Sequence, residues 1–284
     1  MARVRESDWV KVLALAVVYT VAARLSLLFA FANSSVSPLW LPTGIALAAL
    51  MTGGRRLWPG VMLGAFATNL LTPVPLPTAF CIAVGDTLEA VIAATIVARM
   101  PFVLDRPGGV VGFVLAVGMV PSTIAALIGV GSLWSAGLVP TGQLGYIGVT
   151  WWLGDTAGAV IFTPFFLALR EAPLVPWDRR SSLEALTLLP LLAAITLLVF
   201  GPTPISHYPL SYLPIPVVVW LALRLEHVGA TSAIVVLTAI ANWGTVRGYG
   251  AFAGPDLNQS LLMLELFIGV TSVATLIQAA VIGQ

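Results

Sequence analysis

The chain alternates long apolar segments with short polar gaps, and its basic residues occupy only every second gap. Arg3, Arg5 and Lys11 open it. Arg55 with Arg56, Arg99 with Arg106, Arg170 with Arg179 and Arg180, and Arg224 follow, so that of the 13 Lys and Arg residues only Arg24 and Arg247 fall elsewhere. The intervening gaps, at Asn33 to Ser37, Thr72 to Thr78, Ser135 to Gly142 and Gly201 to Pro209, hold no Lys or Arg. Short cytoplasmic loops collect positive charge and translocated loops do not. The pattern therefore predicts an all-α, polytopic membrane bundle of about ten crossings, with the N-terminus and the C-terminus both inside. Composition agrees: 59% hydrophobic, 9% charged residues and a mean hydropathy of +1.01 leave too little polar surface to coat a soluble globule.

The crossings are expected near residues 11–31, 38–53, 57–72, 79–99, 109–131, 143–169, 183–200, 210–224, 228–244 and 260–282, within one domain covering 1–284. The first is read as a retained helix, since no small-residue cleavage site follows it. The second and eighth are short and carry Pro38 with Pro42 and Pro214 with Pro216, the mark of a broken or re-entrant helix. Irregular backbone at that depth is tolerated only where protein or a wet cavity covers it. Gly60 with Gly64 and Gly154 with Gly158 have the spacing that lets helix backbones approach closely. Gly85 to Val91 and Gly154 to Val160 share Gly, Asp, Thr, Ala and Val in register, a short echo compatible with a repeat.

Ionisable groups in hydrocarbon are costly and should face the bundle interior or a wet cavity. Arg24, Asp86, Glu89, Asp155 and Glu265 qualify, with Asn69 and Asn242 as polar neighbours. Counting about 1.5 Å of rise per residue from the outer helix ends places Arg24, Asn69, Asp86, Glu89 and Asp155 in the outer half of the membrane. Asp86 and Glu89 project to one face. Two carboxylates beside one guanidinium call for a proton or a further cation, and Arg24 is expected to pair with Glu89 or Asp86. Trp151 and Trp152, one turn outside Asp155, and Trp40 join the candidate site. Trp9, Trp58 and Trp177 read as interfacial belt residues. Arg247, with Asp256 and Glu265 near it in sequence, is a candidate lid contact or a solvated loop charge.

Other chemistries have no apparatus here. The single Cys81 excludes an intrachain disulfide and a thiolate zinc cluster and reads as a small core residue. His207 and His227 lie in an outer and an inner loop, which gives no paired haem ligands. No Walker loop, zinc-protease helix or nucleophile elbow is present, so no catalytic residue, metal or cofactor is expected. A net charge of +1 without a basic stripe argues against nucleic acid.

Several blocks resemble the MASE1 family, a bacterial membrane-associated sensory domain. They are Pro38-Leu39-Trp40-Leu41-Pro42-Thr43-Gly44-Ile45-Ala46, Trp58-Pro59-Gly60 through Gly64-Ala65-Phe66-Ala67-Thr68-Asn69, and Gly85-Asp86-Thr87-Leu88-Glu89-Ala90. Trp151-Trp152-Leu153-Gly154-Asp155 up to Pro164, and Asn242-Trp243-Gly244-Thr245 through Arg247-Gly248, continue the match. The family commonly has Asn at the place of Asp86, so this chain adds an acid. The resemblance implies an input module in the bacterial cytoplasmic membrane. It is usually fused to a histidine kinase or to a cyclic-di-GMP synthase or hydrolase; here such an output domain would be fused beyond this sequence or be a separate partner. Membrane lipid and an unidentified small ligand are the other expected partners, and a homodimer stays open. A small secondary transporter and a ligand-free anchor or dimerisation module are the alternatives.

Overall fold

The computed structural model describes residues 6–29, 36–100, 104–172 and 179–283. Expectations for Arg3, Arg5, Asn33 and Trp177 lie outside these residues. The helices are α1 (Glu6–Ser26), α2 (Leu41–Gly53), α3 (Trp58–Leu70), α4 (Leu76–Val97), α5 (Pro107–Gly112), α6 (Val120–Ser135), α7 (Leu144–Glu171), α8 (Arg179–Phe200), α9 (Ile215–Val246) and α10 (Leu257–Ile282). Among the described residues there is no strand, and seven helical stretches are long and apolar enough to cross a membrane. Many of their large apolar side chains, Val10, Leu127, Leu186 and Val270 among them, are exposed, as lipid-facing residues would be.

The chain folds as two compact units, residues 1–101 with 112–159 and residues 102–111 with 160–284. In the N-terminal unit α1 packs on α2 and α3, and α4 packs on α2, α3 and α6. Gly60 and Gly64 of α3 make the first of these contacts close. A Cβ at Gly60 would meet the Val12 carbonyl at 2.7 Å, and one at Gly64 would meet Tyr19 Cβ at 2.7 Å.

The Pro-broken second segment is part extended and part helix. Residues 36–40 are non-helical and buried, and α2 begins only at Leu41, with Pro42 in its first turn where the missing N–H costs nothing. The thirteen residues of α2 span about 20 Å. The chain bends at Pro38 before it enters α2, so the helix alone is short of bilayer thickness. Buried irregular backbone needs partners, and two serines supply them. Ser26 Oγ accepts from Leu41 N at 3.0 Å, and Ser37 Oγ donates to the Ser26 carbonyl at 2.8 Å. Trp40 N donates to the Gly154 carbonyl at 3.1 Å. A Cβ at Gly154 or Gly158 would run into the Ser37 or Trp40 carbonyl. These glycines of α7 thus admit an extended strand of main chain, not the neighbouring helix that their spacing suggests.

Between α5 and α6 residues Phe113–Met119 form a π-helical turn in which Val120 N reaches the Leu115 carbonyl. Pro121 follows; it has no N–H for the regular i−4 bond, and the wider turn re-seats the neighbouring carbonyls.

In the C-terminal unit α9 packs on α8 and α10. It is two helices joined at Glu226, whose φ of 48° and ψ of −135° break the helix. The arms fold back on each other: a Cβ at Gly229 would collide with the Leu221 carbonyl, eight positions away, a distance of about 12 Å along a straight helix. Ala222 and Ala230 share one buried cluster with Ala279 of α10. Beside the turn, Arg224 grips Glu184 of α8 with two bonds of 2.7 and 2.8 Å, and Arg180 lies 3.2 Å from the same carboxylate.

Candidate functional site

The N-terminal unit gathers its acids around hydroxyls drawn from other helices. Tyr19 of α1 donates to Asp86 Oδ2 at 2.9 Å, and Ser122 of α6 donates to Glu89 Oε1 at 2.7 Å. Thr43 of α2 donates to Asp155 Oδ1 at 3.3 Å. Asp86, Glu89 and Asp155 are 5%, 2% and 1% exposed, and Asp155 lies within electrostatic reach of the other two. Trp40 lies near the Tyr19 hydroxyl and Trp151 near the Asp155 carboxylate. The ring of Trp151 lies on Gly129 of α6, where a Cβ would overlap it.

Of these residues Trp40, Trp151 and Asp155 line a small cavity, together with Ser37, Thr68 and Asn69 among others. The centre of a bound water would have about 10 Å³ to move in, so the cavity holds about one water in this conformation. Asn69 is buried against it and donates its amide to the Ala65 carbonyl at 2.9 Å. Asp155 Oδ2 and the Thr156 hydroxyl have no hydrogen-bond partner. A buried acceptor left in that state costs about 1–3 kcal/mol, more when charged.

Two expected members stand elsewhere. Arg24 is exposed and donates to the Leu71 carbonyl at 3.3 Å. It pairs with neither Glu89 nor Asp86, because its long side chain reaches the surface and uncharged hydroxyls already serve those acids. Trp152 donates to the Met119 carbonyl at 2.9 Å, beside the π-helical turn, and lines an apolar groove with Leu127, Gly148 and Val149. Trp40, Asn69, Asp86, Glu89, Trp151 and Asp155 do come together. Cys81 is half-buried, less enclosed than a core residue.

Tyr19, Thr43 and Ser122 went unselected in the sequence. The one signal for Tyr19 is a polar phenol in the middle of an apolar helix, where its O–H must find a partner. Among the described residues no Lys, Arg or His hydrogen-bonds or ion-pairs with the three acids, and no group of His, Cys, Asp and Glu is arranged to hold a metal. The site is rich in acceptors and walled by two indoles. That chemistry suits a small ligand bearing positive charge or N–H and O–H donors.

Arg247 makes no lid contact. Its guanidinium lies over the Trp243 ring, 4.6 Å from the centroid, and Asp256 instead caps α10 by accepting from Asn258 N and Gln259 N. Glu265 is buried in the C-terminal unit.

No curated protein and no solved structure matches the chain. The MASE1 family model matches residues 11–284. The matched stretch takes in the segment 36–40, the acid pair of α4, the glycines and Asp155 of α7 and the Asn242 to Thr245 turn of helix. The chain is therefore a multi-pass membrane protein that belongs to the MASE1 family of membrane-associated sensor domains.

Proposed function

We propose that this protein is the signal-input module of a bacterial cytoplasmic-membrane sensor, and that its ligand binds among Trp40, Asn69, Trp151 and Asp155. The observation that carries the reading is Asp155: a fully buried carboxylate with one oxygen unpartnered, beside a cavity walled by two indoles. Asp155 sits on α7, which continues to Glu171. A ligand that draws Asp155 and the 36–40 segment apart would shift α7, and that shift would start the signal to a cytoplasmic output domain. It biases that equilibrium only by binding the two packings unequally. Ten crossings with both termini inside accord with the charge pattern, with the folded-back arms of α9 and with the Arg180, Glu184 and Arg224 cluster near the Glu226 turn.

Purified protein screened by thermal shift against small organic ammonium compounds tests the site. At least one compound should raise the melting temperature saturably in the wild type and leave Asp155→Asn unmoved. An equal response from Asp155→Asn removes the site from this position. Orientation is tested in a Cys81→Ser background. Thr203→Cys should label from outside intact cells and Thr52→Cys only after permeabilisation; the reverse pattern inverts the topology.

The broken second segment also favours a transporter reading, since transporters place substrates at discontinuous helices. Net uptake of a bound compound into vesicles carrying the protein would support it, and binding without flux supports the sensor.

A further inference from the structure

One hydroxyl in the N-terminal unit stands between two oxygens that both need its hydrogen. Ser122 Oγ of α6 lies 2.7 Å from Glu89 Oε1 and 2.7 Å from the Gly118 carbonyl, and both Ser122 and Glu89 are buried. A serine hydroxyl has a single hydrogen to give, and a carbonyl has none. Given to Glu89, that hydrogen leaves two bare oxygens in contact at Gly118; given to Gly118, it leaves them in contact at the carboxylate. A hydrogen split between the two would point along neither contact. Two contacts of full hydrogen-bond length need two hydrogens, and the second has its source in Glu89. As a carboxylic acid, Glu89 donates to Ser122, and Ser122 donates to Gly118.

The surroundings give a charged Glu89 no compensation. Its helix α4 packs mainly on α2, α3, α6 and the π-helical turn, and none of these carries an Asp, Glu, Lys, Arg or His. The short turn Arg55–Leu57 also touches α4, but Arg55 is held on Thr95 at 3.0 Å and Arg56 on Asp8 at 3.2 Å. The titratable groups in electrostatic reach of Glu89 are two more acids, Asp86 and Asp155, with the Tyr19 phenol bonded to Asp86. A buried carboxylate without a countercharge takes up a proton instead.

We propose that Glu89, Ser122 and the Gly118 carbonyl form a proton-binding site that controls the packing of the π-helical turn. With the proton bound, the relay from Glu89 through Ser122 to Gly118 ties α4 to the turn Phe113–Met119, of which Gly118 is part. When the proton leaves to solvent, the one Ser122 hydrogen goes to the carboxylate, because a hydrogen bond to a charged acceptor is the stronger. The Gly118 carbonyl then loses its hydroxyl. The next carbonyl, that of Met119, accepts from Trp152 of α7 at 2.9 Å, so a loosened turn bears directly on the helix that carries Asp155. Widened turns of this kind recur at functional positions. The site needs no organic ligand and stands apart from the one proposed beside Asp155.

Infrared difference spectroscopy on the purified full chain in lipid nanodiscs, without added ligand, tests the proposal. Wild type minus Glu89→Gln at neutral pH should show the carbonyl band of a protonated carboxylic acid. Ser122→Ala should keep that band and move it to higher frequency, as a carboxyl that loses a hydrogen bond does. Gln at this position still offers an N–H to Ser122, so the Glu89→Gln variant holds the proton-bound arrangement and the fold. As alkaline titration removes the band, amide hydrogen exchange over residues 113–123, corrected for the intrinsic effect of pH, should rise in the wild type by roughly three- to tenfold, the loss of one hydrogen bond. It should stay level in Glu89→Gln. No acid band in the difference spectrum overturns the proposal, as does a band that vanishes in Asp155→Asn and persists in Glu89→Gln. Exchange that rises equally in both proteins overturns the control of the turn. Each of these failures leaves the ammonium-binding test of the Asp155 site as it stands.

Discussion

The two units bury acids in opposite ways. In the N-terminal unit Asp8 pairs with Arg56 at 3.2 Å, and each of the three clustered acids is met by a hydroxyl from another helix: Asp86 by Tyr19, Glu89 by Ser122, Asp155 by Thr43. In the C-terminal unit Glu265 is buried near Asn242, and neither of its oxygens makes a hydrogen bond. Where helices are tied together through an acid, that acid stabilises packing and positions whatever enters. Where an acid is left without donors, the fold holds an unfavourable arrangement that something else must complete. The same residue type is therefore tied into packing in one unit and left unserved in the other, with Asp155 combining the two in its paired and unpaired oxygens.

The largest effect expected is steric. Gly158→Val sets a branched side chain against the Trp40 carbonyl and displaces the extended segment on which the N-terminal cluster is built. It should destabilise by about 3 kcal/mol or more, read as loss of the monodisperse peak on heating in detergent. Gly145→Ala, on the same helix with nothing within 4 Å of its would-be Cβ, should stay within about 0.5 kcal/mol. Similar losses from both glycines would show that the extended segment does not depend on close approach.

Next comes a difference in sign. Tyr19→Phe removes the donor to Asp86 and should cost about 1–3 kcal/mol, because it strands a buried carboxyl. Glu265→Gln, which removes an unserved acid, should be neutral or stabilising. If both variants lose stability alike, the contrast between the units fails. Ser122→Ala should cost about 1 kcal/mol, one hydrogen bond to Glu89. Arg24→Ala, at an exposed site, should change stability by less than about 0.5 kcal/mol. A larger loss there would restore the buried ion pair expected from the sequence.

Much of the helical framework was legible because hydropathy and charge alternate with bilayer period. The hinge at Glu226 lies in the one charged interruption of α9, Arg224 to His227. Its backbone conformation was hidden, since a positive φ at Glu carries no glycine signal. Pro38 and Pro42 marked the broken segment, but not that Gly154 and Gly158 receive it. In the site, the acids were visible as charge in apolar helices and their partners were not. Tyr, Thr and Ser in a membrane helix look alike whether they bond to their own backbone or reach across. Arg24 was assigned to the acids on the assumption that buried charge needs opposite charge, and hydroxyls answered that need instead. Trp151 and Trp152 are about 100° apart on one helix, and only packing decides which faces Asp155.

The central claim is that the N-terminal unit sets Asp155, between Trp40 and Trp151, beside a space a ligand can enter. An experimental density map of the protein purified from its native membrane into lipid nanodiscs tests it most directly. The account predicts non-protein density, a water at the least, within hydrogen-bonding distance of Asp155 Oδ2 and bordered by Trp40, Trp151 and Asn69. A map in which Asp155 turns toward lipid, or in which protein atoms fill that space, would contradict it.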